Sequence, residues 1–315
     1  MNEIPLIGAT DTASPTAGRK RRYWLVTVLF RLVKEKPLGL FGGVVTLLLL
    51  ITGIFAPVLA PYGYNDTGGP FLAPPSSQFL LGTDNLGRDL LTRIIYGARI
   101  SVIIGLGATT LSTLISMVIG VFSAYRGGIL DLISQRFVDA WMCFPGMILL
   151  LVMVSILGPG IVQIIVVLSL AFGIGGSRVI RSAVIAIKEE TYIKAAVAYG
   201  CTDTRVMLRH ILPNIMAPII IVFSTRIPGV ILAEASMSFL GLGVPPPEPS
   251  WGGMLSGAAR RYMFMAPGLA IYPGLALSIV VFGVNMFGDA LRDILDPKMR
   301  GGVGRFDRTK KKKGR

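Results

Sequence analysis

Long stretches of apolar residues without any charge dominate the chain. Residues 100–125, 140–177 and 262–288 contain no Asp, Glu, Lys or Arg. Roughly 20 predominantly apolar residues form a helix that can cross the hydrocarbon layer of a membrane, because a helix satisfies its backbone polar groups internally. With two further apolar blocks, the pattern predicts six membrane-spanning helices, at about residues 39–60, 101–124, 140–157, 161–177, 214–241 and 267–288. We therefore expect an all-α, polytopic membrane protein.

The composition agrees with this prediction. Of the 315 residues, 52% are hydrophobic and 15% are charged. Soluble domains carry about 25% charged residues. A water-soluble globular protein is therefore excluded.

The net charge of +14 follows the predicted topology and does not indicate binding to nucleic acid. The two tails and the loops on one side carry 25 of the Lys and Arg residues, and the opposite loops carry five. Because positively charged loops are retained in the cytoplasm, we expect both termini to be cytoplasmic, in tails at residues 1–36 and 291–315. The basic residues then lie where they attract anionic lipid headgroups.

The chain lacks the residue patterns of catalysis and metal binding. It has one histidine, His210, and two cysteines, Cys143 and Cys201, with no ligand spacing among them. No Gly-Lys dipeptide occurs, which excludes a phosphate-binding P-loop. Residues 173–176 superficially match a dinucleotide fingerprint, but they lie in a predicted span and indicate close helix packing through small residues. We expect no enzyme activity and no cofactor or metal bound by this chain.

The predicted loop at residues 178–213 has the pattern of two helices joined by a turn. Residues 188–199 predict the first helix, and Gly200 supplies the left-handed residue that ends it. Thr202 or Asp203 is the expected cap of the second helix, which runs to about residue 212.

The second helix of this loop is amphipathic. Val206, Met207 and Ile211 oppose Arg205 and Arg209, and Pro213 interrupts the helix just before the fifth span. A short amphipathic helix held between two spans is typical of docking into a groove of a partner protein.

The spacing of small residues in this loop carries a resemblance to a known family. Ala195, Ala196 and Gly200, with Pro213 thirteen positions later, resemble the EAA motif of ABC-importer permeases. In that family the loop forms the coupling helix, which docks onto the ATPase subunit. Lys194 replaces the family's Glu, and His210 resembles the peptide-transporter branch. The resemblance implies these ATPase-docking residues: Ala195, Ala196, Gly200, Thr202, Asp203, Arg205, Val206, Met207, Arg209, His210 and Pro213.

Four other segments extend the resemblance over nearly the whole chain. Residues 55–62, 81–99, 240–252 and 288–297 resemble, in the same order, segments of the C-type permease of dipeptide and oligopeptide (peptide/nickel) importers. The resemblance implies a type I ABC-importer fold with three parts. These are a first transmembrane helix at 37–62, an extracytoplasmic loop with a short helix at 63–99, and a permease core with five spans at 100–290.

The resemblance also implies a function and a set of partners. The chain would form half of the translocation pathway for peptides in a bacterial or archaeal cytoplasmic membrane. Its partners would be a homologous B-type permease, two ATPase subunits that bind ATP and Mg²⁺, and an extracytoplasmic binding protein. Nickel or another small solute is an alternative cargo. A secondary transporter or channel acting alone is an alternative class, although such proteins usually need ionisable residues within spans and internal repeats.

Charged residues of the extracytoplasmic loop are candidates for contact with a delivery protein, and a self-contained structural cap is the alternative role of this segment. Thr83 or Asp84 is the expected cap of a short helix, and the spacing of Asp89 and Arg93 supports an ion pair on one face. Trp251 suits the membrane–water interface. The contact candidates are Asp84, Arg88, Asp89, Arg93 and Trp251.

Two charged residues lie inside the fifth predicted span. Arg226 and Glu234 are eight positions apart, too far for a direct pair along one helix. Ionised groups within a membrane are costly and usually face a bundle interior or a water-filled path. We expect both to line the translocation pathway, with a salt bridge to a partner subunit as the alternative role.

Overall fold

The computed structural model describes residues 36–295, and this part of the chain is mostly helical. The only pairing of extended backbone in it is an isolated bridge between Thr83 and Asp89. The α-helices are α1 (Pro37–Ile54), α2 (Ala56–Leu59), α3 (Leu90–Arg126), α4 (Gly128–Met142), α5 (Gly146–Leu157), α6 (Ile161–Lys188), α7 (Thr191–Ala198), α8 (Asp203–Arg205), α9 (Leu212–Asn214), α10 (Met216–Phe239), α11 (Trp251–Tyr262) and α12 (Gly268–Leu295), with a π-helical segment (Val206–Ile211) between α8 and α9.

Five or six of the described helices can cross a membrane, where the sequence predicts six. Five helices are long and apolar enough, namely α1, α3, α6, α10 and α12, and the pair α4–α5 makes a sixth crossing if it counts as one span. This pair bends by 91°. The continuous third span expected at 140–157 is therefore wrong, because the chain breaks at residues 143–145, where Pro145 cannot continue a helical hydrogen-bond ladder.

Helix α3 extends well beyond its predicted span. Its 37 residues rise about 55 Å at 1.5 Å per residue, so the expected short helix of the 63–99 loop is continuous with the second span. Asp89 caps it by accepting a hydrogen bond from the backbone N–H of Thr92 at 2.8 Å. The expected caps, Thr83 and Asp84, are wrong, and Asp89 caps the helix end instead of pairing with Arg93.

Small residues bring α3 and α6 into close contact. A Cβ added at Gly120 would lie 2.7 Å from the carbonyl oxygen of Ser177, and one at Gly173 would lie 3.0 Å from that of Ser112. The hydroxyl of Ser116 donates to the carbonyl oxygen of Gly173 at 2.7 Å. The packing role expected for residues 173–176 is confirmed.

Helix α1 packs on α12 in the same manner. A Cβ at Gly42 would lie 2.6 Å from the backbone nitrogen of Phe287 and closer still to the carbonyl oxygen of Gly283. Lys36, before α1, pairs with Asp293 of α12 at 2.6 Å. The N-terminal span is thereby attached to the last span by backbone contact and an ion pair.

The connections between spans form two groups, which lie at opposite ends of the bundle if each span crosses once. We call the segment from Glu189 to Ile215 the Gly200 loop. The Trp251 side is our name for the second group, which consists of residues 60–89 and of residues 240–267 with α11. Most of both predicted tails, residues 1–35 and 296–315, lies outside the described residues.

Candidate docking loop and solute cavity

The turn of the Gly200 loop has the conformation that the sequence predicts. Gly200 has a φ of +78°, the left-handed region in which glycine is favoured. The preceding helix is shorter than expected, because α6 ends at Lys188 and α7 begins only at Thr191. Thr202 occupies the N-cap position of the next helix, but no side chain caps it. The carboxylate of Asp203 instead accepts a hydrogen bond from the hydroxyl of Tyr125 at 3.0 Å.

The second helix of the loop changes its winding ahead of Pro213. Residues Val206–Ile211 are π-helical, and Pro213 lies in the first turn of the short α9 that follows. Proline provides no backbone N–H and crowds the carbonyl four positions earlier. The side chain of Asn214 donates to the carbonyl oxygen of His210 at 2.6 Å, a bond between side chain and backbone within this turn.

The apolar face of this helix packs against the chain itself. Val206 and Ile211 are fully buried together with Ile193 of α7, and Met207 is half-buried against the same cluster. The expectation that Val206, Met207 and Ile211 anchor a partner is therefore wrong for these side chains. These side chains attach the loop to the ends of α3 and α6. Their burial stabilises the attachment because it removes apolar surface from water.

Other side chains of the Gly200 loop remain available for contact. Tyr199 is 90% exposed and Leu208 is 61% exposed. Among the predicted docking residues, Ala195, Gly200, Thr202, Asp203, Arg205, Arg209 and Pro213 are exposed, and Ala196 and His210 are half-buried. The docking role stays a prediction, and the exposed surface around Tyr199 now carries it.

A charged groove lies beside this surface. Its volume is about 440 Å³, and its walls include Arg126, Lys188 and Asp203. Lys194, which stands where the resembled family has Glu, forms an ion pair with Glu189 at 2.9 Å. This ammonium group lowers the pKa of Glu189 below its ordinary value. Lys194 therefore adds a cation at the groove, and Glu189 of the same loop partly neutralises its charge.

Arg226 projects from α10 towards α3. Its guanidinium donates to the hydroxyl oxygens of Ser112 at 3.1 Å and Ser116 at 3.2 Å. A Cβ added at Gly176 of α6 would lie 2.8 Å from the Cζ of Arg226. Gly176 therefore provides the space that the guanidinium occupies.

The surroundings of Arg226 form an open cavity. Its volume is about 620 Å³, and α4, α5, α6 and α10 supply its walls. The walls are mainly apolar and include Trp141, Phe144 and Phe172, while Arg226 is the only charged residue that the described part of the chain contributes to them. A wide apolar cavity with a few polar groups is the usual form of a site for a small solute.

Glu234, by contrast, is enclosed within the chain. It is 1% exposed, and its carboxylate accepts a hydrogen bond from the hydroxyl of Ser238 at 2.7 Å. The same hydroxyl accepts from the backbone N–H of Val244 at 3.2 Å. In this conformation Glu234 does not line the cavity, so the expectation that it does is wrong here. It holds the end of α10 against the connection to α11.

The candidates for contact on the Trp251 side are also held within the chain. Asp84 is 4% exposed and binds Arg88 at 2.7 Å and Arg93 at 3.6 Å. Arg93 also donates to the backbone carbonyl of Tyr64 at 3.1 Å, and Asp89 is buried as the cap of α3. These contacts organise residues 60–89. Arg88 is half-buried and, with Asp84 and Arg93, lines a small cavity, so contact with a delivery protein stays a prediction.

Trp251 is buried and does not lie at a lipid interface. It is 2% exposed, and its Nε1 donates to the carbonyl oxygen of Ile94 at 3.0 Å. A Cβ at Gly97 would lie 2.6 Å from its indole ring. The expected interfacial position is wrong, because Trp251, at the start of α11, packs against α3.

The hydrogen-bond partners of Arg226 could not be identified from the sequence. Ser112 and Ser116 resemble ordinary small residues of an apolar span, and they lie 114 and 110 positions from Arg226. The small residues at 173–176 were the only signal that this part of α6 approaches another element closely.

Comparison with known proteins places these features in context. A model of the binding-protein-dependent transport system inner membrane component matches residues 116–301. A model of the N-terminal TM domain of oligopeptide transport permease C matches residues 25–86.

The chain is similar over most of its length to curated bacterial permeases. It is 38% identical over 272 residues to the dipeptide transport system permease protein DppC of Alkalihalophilus pseudofirmus, covering 86% of this chain and 89% of the relative. It is 34% identical over 304 residues to the glutathione transport system permease protein GsiD of Escherichia coli, covering 96% of both.

A solved structure shares the fold. A chain of the MetNI methionine ABC transporter, in inward-facing conformations, matches with a TM-score of 0.53 and 17% identity. The match covers 65% of the present chain and 96% of the other.

Proposed function

Because the chain belongs to the family of binding-protein-dependent transport system inner membrane components, we propose that it forms half of the peptide pathway of an ATP-driven importer. It is a multi-pass inner-membrane permease with the type I ABC-importer fold that the sequence predicts. The relatives named for dipeptide and glutathione transport support peptides as the class of cargo.

The observation that carries the coupling part of the proposal is the construction of the Gly200 loop. Its inner side chains, including Val206 and Ile211, are buried against α3 and α6. Its outer side chains, including Tyr199 and Leu208, are exposed on the same short segment. A partner that binds the outer surface can therefore push on the spans through a closely packed inner surface.

In the proposed assembly this end of the bundle is cytoplasmic, as are both termini. The chain pairs with a homologous B-type permease, two ATPase subunits bind ATP and Mg²⁺, and an extracytoplasmic binding protein delivers the peptide. Closure of the ATPase subunits moves the docked loops and shifts the permeases between two arrangements. Such coupling requires the ATPases to bind the two arrangements with different affinity.

A pair of matched substitutions tests the docking surface. Tyr199→Asp places a charge on the Gly200 loop, and Phe264→Asp places one on the Trp251 side, where Phe264 is 92% exposed. Neither change buries a charge within the chain, so both variants should fold. We expect Tyr199→Asp to reduce co-purification of the ATPase subunits at least tenfold, with Phe264→Asp at the wild-type level.

Two results would contradict the proposal. One is equal retention of the ATPase subunits by both variants. The other is uphill uptake by the purified chain alone in vesicles, which would make it a secondary transporter.

A further inference from the structure

The cavity beside α10 combines an apolar wall with a single fixed charge. Of the charged residues between positions 36 and 295, Arg226 alone lies in the wall of this space of about 620 Å³. The other walls contribute aromatic and aliphatic groups such as Trp141, Phe144 and Phe172. A solute in this cavity therefore meets one site of strong polarity.

The groups that hold Arg226 do not neutralise it. Within residues 36–295, no carboxylate lies within ion-pair distance of its guanidinium. Its partners are two neutral hydroxyls, and each directs its own proton elsewhere: Ser112 to the carbonyl of Thr109 and Ser116 to that of Gly173. Both hydroxyls thus accept from Arg226 while the positive charge remains.

The position of the guanidinium is fixed as well as its charge. Ser112 and Ser116 lie one turn apart on α3, and both bond the same terminal nitrogen of Arg226. Gly176 leaves space beside the other terminal nitrogen, where a Cβ would also lie 2.7 Å from the hydroxyl oxygen of Ser116. The planar guanidinium can offer its remaining N–H groups as a fork, the geometry that matches a carboxylate.

We propose that Arg226 is a binding site for the free carboxylate of the solute as it passes through the cavity. The inference rests on the proposed function and adds the chemical class that this half of the pathway selects. A peptide with a free C-terminal carboxylate brings the missing negative charge, and its apolar side chains meet the aromatic walls. Because the site is a single open position, the carboxylate can leave as well as enter.

The test combines a change in the protein with a matching change in the peptide. The complete importer is reconstituted in vesicles with saturating loaded binding protein, and uptake of one peptide is measured as the free acid and as the C-terminal amide. Wild type is compared with Arg226→Gln. The control is Ser236→Ala, whose hydroxyl lies in the same wall but bonds its own helix at Leu232.

We expect the acid-to-amide ratio of uptake rates to fall at least tenfold in Arg226→Gln and to stay unchanged in Ser236→Ala. Because the same binding protein serves every variant, its own preference cancels in this comparison. An equal fall in uptake of both peptides, or an unchanged ratio, would overturn the inference and favour an ion pair with the second permease. Absence of ATP-dependent uptake by the wild-type complex would instead remove the proposed function.

A measurement on the wild-type complex covers the case in which Arg226→Gln does not assemble. Phenylglyoxal modifies accessible arginines, and mass spectrometry reports its rate at Arg226. We expect the free-acid peptide to slow this reaction and the amide to leave it unchanged. Equal protection by the two peptides would refute the carboxylate site.

Discussion

Replacing Gly42 by alanine tests whether backbone contact attaches the N-terminal span to the permease core. The new Cβ would lie 2.6 Å from the backbone nitrogen of Phe287 and closer still to the carbonyl oxygen of Gly283. Both obstacles are backbone atoms of α12, which cannot rotate away as a side chain can. Helices α1 and α12 must therefore separate by about 1 Å to reach an ordinary contact distance.

The adjacent glycine provides the control. A Cβ at Gly43 would meet only the ring of Phe287, at 3.4 Å, which is an ordinary contact. Both substitutions gain up to about 1 kcal/mol from the better helix propensity of alanine. Only Gly42→Ala also incurs the cost of overpacking, about 1–3 kcal/mol.

The two variants should therefore differ by about 1–3 kcal/mol in the free energy of unfolding, with Gly43→Ala at or above wild type. With an unfolding entropy of about 2.1 cal/mol/K per residue, each kcal/mol shifts the thermal midpoint of a 315-residue chain by roughly 1.5 °C. Thermal unfolding of the purified complex in detergent, followed by size-exclusion chromatography, measures this difference. Equal midpoints for the two variants would refute the close approach of α1 and α12.

Two further predictions follow from the buried indole and from the orientation of the bundle. Trp251→Phe removes the indole hydrogen bond to the carbonyl oxygen of Ile94, which keeps its place in the backbone ladder of α3, so we expect a loss of about 0.5–1.5 kcal/mol in stability from this bond. The indole N–H of Trp141 has no acceptor among residues 36–295, so Trp141→Phe should lower stability less than Trp251→Phe does. A lower thermal midpoint for Trp141→Phe than for Trp251→Phe would contradict the stabilising role of the Trp251 hydrogen bond. In Cys143→Ser, the remaining thiol of half-buried Cys201 should react with a membrane-impermeant maleimide in inside-out vesicles and not in right-side-out ones. A Phe264→Cys change made in a chain lacking both native cysteines should show the opposite pattern, and Cys201 labelled from outside would reverse the proposed topology.

The sequence predicts most of the membrane architecture because spans are recorded in local composition. The uncharged blocks at 100–125 and 262–288 became parts of α3 and α12. The turn at Gly200 was also predictable, since a glycine ends a helix by its own backbone freedom. Pro145 could have indicated the break in the third span, but apolar composition alone does not reveal a bend.

The predictions that the structure corrects concern the direction in which side chains face. That direction depends on parts of the chain that are distant in sequence. Val206 and Ile211 form an apolar face that could pack equally well against a partner protein or against the chain's own core. The positions of α3 and α6 decide that it packs against the core. Trp251 is of a residue type common at membrane interfaces, but Gly97 of α3 leaves room for its ring within the chain. The charges of Asp84 and Arg93 suggest a contact surface, but the loop also uses them for its own folding.

The unneutralised charge of Arg226 has a consequence for ions as well as for solutes. A transport pathway that opens alternately to the two sides of a membrane must not conduct sodium ions or protons along their gradients. A positive group fixed beside such a pathway repels small cations, and pores that exclude protons use arginine in this way. Among residues 36–295, Ser112 and Ser116 are the groups that bond the guanidinium, so if the cavity is part of the pathway as proposed, the field of Arg226 would oppose leakage of cations.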